Sequence, residues 1–146
     1  MMNRRLRRLA VVVALAGTVA WVFYDPPWVD RTTTGLRASE SGPDGVVYQW
    51  TNGHAAFYVP RTATQLALRV SRGDVHEPGT SVVVRVRVDD FLVSTTALEV
   101  PGAWTTIEVP LPSIPTRRRT RRVDLGVSRT ASDLNYGVQL RPIEWR

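Results

Sequence analysis

Val82-Val83-Val84-Arg85-Val86-Arg87-Val88-Asp89-Asp90-Phe91-Leu92-Val93-Ser94 is the stretch that decides the fold class. Along an extended chain Val82, Val84, Val86 and Val88 point one way, and Val83, Arg85 and Arg87 point the other. One apolar and one polar face at period two predicts an antiparallel strand with one side on a core. Asp89-Asp90 suits a tight hairpin turn with positive φ, and a second strand is expected over residues 91–94.

The same alternation extends outward in both directions. Leu66, Leu68 and Val70 oppose Gln65, Ala67, Arg69 and Ser71, and Thr105, Ile107, Val109 and Leu111 oppose Trp104, Thr106 and Glu108. Val123, Leu125 and Val127 oppose Asp124, Gly126 and Ser128. Further strands are expected over 46–51, 55–59, 97–100 and 136–140, with Asn52-Gly53 as a hairpin turn between the first two. Prolines 60, 78, 101, 110, 112, 115 and 142 fall between or at the ends of these runs, where a missing N–H does no harm. Beyond residue 24 no window carries a 3.6-residue period. Eight or nine short strands in about 100 residues predict an all-β, antiparallel two-sheet β-sandwich, jelly-roll-like or immunoglobulin-like. The missing Cys…Trp…Cys signature weighs against a true immunoglobulin domain. Leu66, Leu68, Val84, Val86, Ile107, Val109, Leu125 and Val127 are the expected core.

Before this domain stand Arg4, Arg5, Arg7 and Arg8, then residues 9–24 without a charge. A cationic flank followed by an apolar run is a membrane address, and the arginines bias the N-terminus to the cytoplasm. Sixteen residues at ~1.5 Å each reach roughly 24 Å, short of a ~30 Å hydrocarbon core. Arg8 can snorkel at one side, while Trp21, Phe23, Tyr24 and Trp28 form an aromatic belt at the other. The expected organisation is a cytoplasmic basic flank (1–8), a transmembrane signal anchor (9–24), a Pro/Thr/Ser/Gly stalk (25–44) and an exported domain (45–146). Such a protein is single-pass in the inner membrane, with its C-terminal domain extracytoplasmic. The alternative is a cleaved signal peptide, with small-x-small candidates at Ala14-Leu15-Ala16 and Thr18-Val19-Ala20.

The formal charge of +6 hints at a nucleic-acid partner until it is apportioned. Fifteen of the 19 cations and all 13 acids lie beyond residue 24, a net of +2. Arg117, Arg118, Arg119, Arg121 and Arg122 account for five of those cations, so the rest of the domain is net −3. No nucleic-acid recognition motif accompanies the charge, so no nucleic-acid partner is expected. With no cysteine, stability must come from the core rather than disulfides.

Several motifs occur in an order that resembles a known module: Tyr48-Gln49-Trp50-Thr51, Ala56-Phe57-Tyr58-Val59-Pro60, Leu66-Ala67-Leu68, residues 84–89, 104–112, 122–130 and 133–140. Together they resemble a small, jelly-roll-like β-sandwich module of bacterial envelope proteins. That module stands alone behind one anchor helix or as an appendage on polytopic membrane proteins similar to sugar transferases. Its likeness to galactose-binding-type jelly rolls implies contact with sugar. Gln49 departs from the arginine usual before the Trp-Thr pair, and Asn135 departs from a second arginine after Asp133. Any ligand contact those arginines make is absent or altered in this chain.

Catalytic constellations are missing. His54 and His76 fall in predicted turns and read as solvated loop residues, and no metal-ligand spacing, phosphate cradle or nucleophile elbow occurs. No enzyme, cofactor or metal is expected. Sugar binding needs an aromatic face and fixed polar partners. Trp104, whose alternation places it outside the core, with Asp133, Asn135 and Tyr136 after a polar loop, are the expected carbohydrate-binding residues. The bland alternative for that loop is Asp and Asn bonding their own backbone. Arg117, Arg118, Arg119, Arg121 and Arg122 are the expected anionic-surface residues, for acidic lipid heads or envelope polymers, against a plain solvated loop. The function expected is a membrane-anchored, non-catalytic module for envelope carbohydrate. The rival is a structural or docking module for a polytopic membrane enzyme of envelope assembly.

Overall fold

The computed structural model describes residues 4–113, 118–131 and 135–146. Its secondary structure is one helix followed by a curled antiparallel sheet. Helix α1 (Arg4–Tyr24) takes in the arginine flank as well as the apolar run, and none of its residues is buried. At ~1.5 Å per residue, 21 residues reach about 32 Å. It is therefore long and apolar enough to cross a membrane. A 3-10 turn (Val29–Arg31) leads into strands β1 (Thr34–Ser41), β2 (Val47–Pro60), β3 (Gln65–Ser71), β4 (Val82–Val88), β5 (Phe91–Leu98), β6 (Thr105–Pro110), β7 (Thr120–Val127), β8 (Gln139–Leu140) and β9 (Glu144–Trp145).

The hydrogen-bonded order is β5-β4-β7-β2-β8-β3-β6, with β1 also on β2 and β9 also on β3. β2 joins the two layers. Its second half pairs with β7 from His54↔Gly126 to Pro60↔Thr120, while Gln49 and Trp50 in its first half pair with β8. The sheet therefore folds over on itself. Val84, Val86, Val123 and Leu125 from one layer meet Leu66, Leu68, Ile107 and Val109 from the other in one core cluster. This is the expected all-β sandwich after an N-terminal helix. Seven of the eight expected core residues are buried, and Val127 is half-buried at the rim.

Asp89 and Asp90 form the expected turn between β4 and β5, with φ of 49° and 71°. Four expectations need correction. The strand expected over 136–140 is only β8, Gln139–Leu140, with Tyr136 making an isolated bridge to Ala131. Asn52-Gly53 is no hairpin turn, because β2 runs straight through it and Gly53 (φ 82°) supplies an irregular position within the strand. Residues 91–94 and 97–100 were expected as two strands, but β5 is continuous from Phe91 to Leu98. Part of the expected stalk is β1, paired antiparallel with β2 from Thr34↔Ala56 to Ser41↔Val47. β1 escapes a periodicity test because it borders the sheet with mostly exposed side chains and needs no apolar face.

Candidate functional site

Tyr48 and Trp50, two residues apart on β2, point to one face, and a row of rings is built around them. Tyr48 meets Trp50 edge-on (centroids 6.3 Å, planes at 83°) and Trp104 at 6.2 Å. Trp50 in turn meets Tyr136 at 5.1 Å. The order is thus Trp104–Tyr48–Trp50–Tyr136, in the edge and tilted geometries that the ring quadrupole favours. Each end carries a guanidinium: Arg141 lies 4.1 Å from the Trp104 centroid and Arg37 lies 4.2 Å from that of Tyr136. Trp50 is buried but lies outside the main core cluster. The row is a separate apolar layer on the sheet's other face.

At the Trp104 end the row floors a cleft of about 450 Å³, within the usual range for small-ligand sites. Asp44, Tyr48, Asp74, Trp104, Gln139 and Arg141 line it, with Gly42, Pro43, Gly73 and Gly102 close by. Arg141 is 8% exposed, and its Nη2 donates to Asp44 Oδ2. Asp44 also accepts from the Val46 amide at 3.1 Å. That amide, the largest cause, holds the Asp44 carboxyl below its ordinary value of 3.8; desolvation comes next and opposes it, and Arg141 adds to the lowering. The Tyr48 hydroxyl donates to Glu40 Oε2 at 2.9 Å, and that bond and the Glu40 charge raise the phenol above its ordinary value of 10.0. A half-buried indole beside a clamped guanidinium, a carboxylate and an amide can stack on C–H groups and bond hydroxyls.

The Asp44 shift carries a testable pH dependence. A depressed carboxyl stabilises its site at pH above the ordinary 3.8, and that contribution is lost as pH falls through the lower folded value. Acidification below pH 4 should therefore loosen the Asp44–Arg141 pair and change Trp104 fluorescence. Asp44→Asn should remove that step. An identical acid titration in the wild type and the variant would refute the assignment.

The expected site residues separate. Trp104 lines the cleft. Tyr136 connects to it through Trp50 and Tyr48. Asn135 is exposed at φ 55°, with its Oδ1 3.4 Å from the Thr130 hydroxyl. Asp133 lies outside the described residues. Asp44, Asp74, Gln139 and Arg141 were not expected at the site. Gln139 and Arg141 do sit on the polar side of the alternation around Val138 and Leu140, which was the available signal.

The arginine cluster is likewise divided. Arg117 lies outside the described residues. Arg118 lies 5.1 Å from the Tyr24 ring. Arg119 bonds Asp25 Oδ2 through its amide and its Nε, both at 3.0 Å. Arg121 is buried at 2% exposure, so it is no part of a solvated or anion-facing surface. Arg122 donates to Asp124 at 2.7 Å through its side chain and to Asp89 at 3.1 Å through its amide. Asp25 and Asp89 come to this cluster from far along the chain, while Asp124 is a near neighbour of Arg122 on β7.

Both histidines also depart from expectation. His76 is buried, with Nε2 2.6 Å from the Gly137 carbonyl, and so braces the loop before β8. His54 is exposed but sits in β2 rather than a turn, 3.3 Å from Asp124. Among the described residues no group of three or more metal-ligating side chains converges.

No protein-family model matches the chain, and no curated protein matches it in sequence. Solved structures do match in fold. The C-terminal domain of EclA, described as a sugar-binding protein, aligns with a TM-score of 0.53 at 9% identity, over 73% of this chain and 89% of that one. A family two carbohydrate esterase from Clostridium thermocellum aligns at 0.50 and 12% identity, over 79% of this chain and 31% of that one. A family 6 carbohydrate-binding module aligns at 0.49 and 13% identity, over 78% and 85%. At these identities the likeness is one of fold alone, a β-sandwich shared with the EclA domain and the esterase.

Proposed function

We propose that this chain is a non-catalytic carbohydrate-binding module carried on the outer face of a membrane by α1. The cleft over Trp104 carries the reading. It joins an indole face to the paired Arg141 and Asp44 and to the polar groups of Gln139 and Asp74, the combination that sugar recognition uses. The fold likeness to a sugar-binding domain agrees with it. The arginine flank of α1 and the positive-inside bias support placing the domain outside the cell.

The test is a glycan array probed with the full chain in detergent. Saturable binding to a subset of glycans is expected. Trp104→Ala should weaken it about tenfold or more, the equivalent of ~1.4 kcal/mol of lost stacking. No binding to any glycan by the wild type, or full binding by the variant, would overturn the assignment.

A further inference from the structure

The last turn of α1 is fastened to the sandwich. Asp25 continues the helix through its amide to the Trp21 carbonyl at 2.9 Å, and it is only 3% exposed. Its carboxylate takes the amide and Nε of Arg119, both at 3.0 Å, and its carbonyl takes Arg119 Nη2 at 3.4 Å. The Arg119 guanidinium also lies 5.8 Å from the Trp21 ring, and that of Arg118 lies 5.1 Å from Tyr24. A buried carboxylate with charge-assisted bonds is a stiff connection, quite unlike a free stalk.

The connection marks one end of the sheet. Arg61 bonds the Arg119 carbonyl at 2.8 Å and Pro60 pairs with Thr120, so the end of β2 and the start of β7 lie beside Asp25. The cleft belongs to the opposite end of the strands. Tyr48 is at the start of β2, Gly73 and Asp74 follow the end of β3, and Trp104 precedes β6. Tyr48 and Pro60 are twelve steps apart along β2, a run of up to roughly 40 Å at ~3.3 Å per step. Arginines beside Trp and Tyr at a helix end suit a layer of lipid phosphates and carbonyls.

We infer that the domain stands on the bilayer in a fixed attitude, its Arg118–Arg119 end in the outer headgroup layer and its Trp104 cleft turned away. The ligand is then a glycan polymer lying above the membrane rather than a saccharide attached to a membrane lipid. This rests on the sugar-binding reading for the ligand, but not for the attitude. A lipid-linked saccharide gains effective concentration only where the geometry allows engagement, and this attitude forbids it.

The chain has no cysteine, so single-cysteine variants of the full protein can be labelled cleanly. Val100→Cys marks the cleft end and Pro112→Cys the helix end, both at exposed positions. In nanodiscs, a headgroup-attached quencher should strongly quench a fluorophore at 112 and leave one at 100 nearly untouched. Equal quenching, or stronger quenching at 100, overturns the attitude. Asp25→Ala should narrow the difference between the two labels; an unchanged difference would show that Asp25 does not set the attitude. For the ligand, a glycan selected on the array is offered to the nanodisc protein free and as a lipid conjugate in the same disc. Binding of the free glycan undiminished by the conjugate is expected. Competition by the conjugate refutes the ligand class, whereas silence of both ligands with the quenching pattern intact refutes only the sugar-binding reading.

Discussion

Leu68→Ala should lower the unfolding free energy by about 2–5 kcal/mol, a large share of the ~5–15 kcal/mol that holds a domain of this size. Leu68 is fully buried at the middle of β3, opposite Ile107 of β6, and it faces the other layer within the core cluster. Truncation removes three heavy atoms' worth of packing, and the rigid strands on either side cannot close the gap. Without disulfides, nothing covalent offsets the loss. Urea unfolding of the full chain in detergent, followed by tryptophan fluorescence, gives the value. Arg69→Ala is the control: one residue along the strand it is exposed, so its effect should stay within about 0.5 kcal/mol. Equal effects at 68 and 69 would show that the strand presents no single core face.

Gly73→Ala should damage both stability and binding. Gly73 has φ 61°, and a Cβ there would lie 2.5 Å from Trp50 Cη2 and 3.2 Å from Cζ2. The strained backbone and the clash together predict a loss of about 2–4 kcal/mol. Trp50 is buried between Tyr48 and Tyr136, so it has no free space to retreat into. Moving it shifts Tyr48, and with Tyr48 the floor of the cleft. Glycan affinity should fall in the folded fraction, and near-ultraviolet circular dichroism should change. Gly79→Ala, also at positive φ but with open space around its Cβ, should show only the backbone cost and keep affinity. Equal behaviour of the two variants would sever Gly73 from the aromatic row.

Local pattern was readable wherever a strand has one wet face and one dry face. β3, β4 and β6 are of that kind, whereas β7, inside the sheet, buries Asp124 between Val123 and Leu125 and keeps the alternation only in its residue types. β1 and β9 border the sheet with exposed residues, so burial imposes no period on them. Gly53 reads identically as a hairpin residue and as an irregularity inside β2, since positive φ serves both. Only the continuous pairing of β2 with β7 from His54 onward distinguishes the two.

The site was legible in part for the same reason. Trp104 was expected outside the core because its parity opposes Ile107 and Val109, and it lies in the cleft. Its partners come from far away in the chain. Asp44 and Arg141 stand 97 positions apart, in a segment that resembled a stalk and in a tail after the last clear alternation. Asp25 and Asp89 reach the arginine cluster only through the fold, whereas Asp124 stands two residues from Arg122 on the same strand.

The sequence by itself determined the all-β class, the β4–β5 turn, the core face of the central strands and an apolar helix ahead of them. Each is an effect of near neighbours, of side-chain parity and solvent exclusion acting along a few residues. Tertiary structure alone decided that Arg141 would lie on Trp104, that His76 and Arg121 would be buried, and that α1 would be clamped through Asp25. Those are meetings of groups far apart in the chain, and their energies depend on a closure that no local period records.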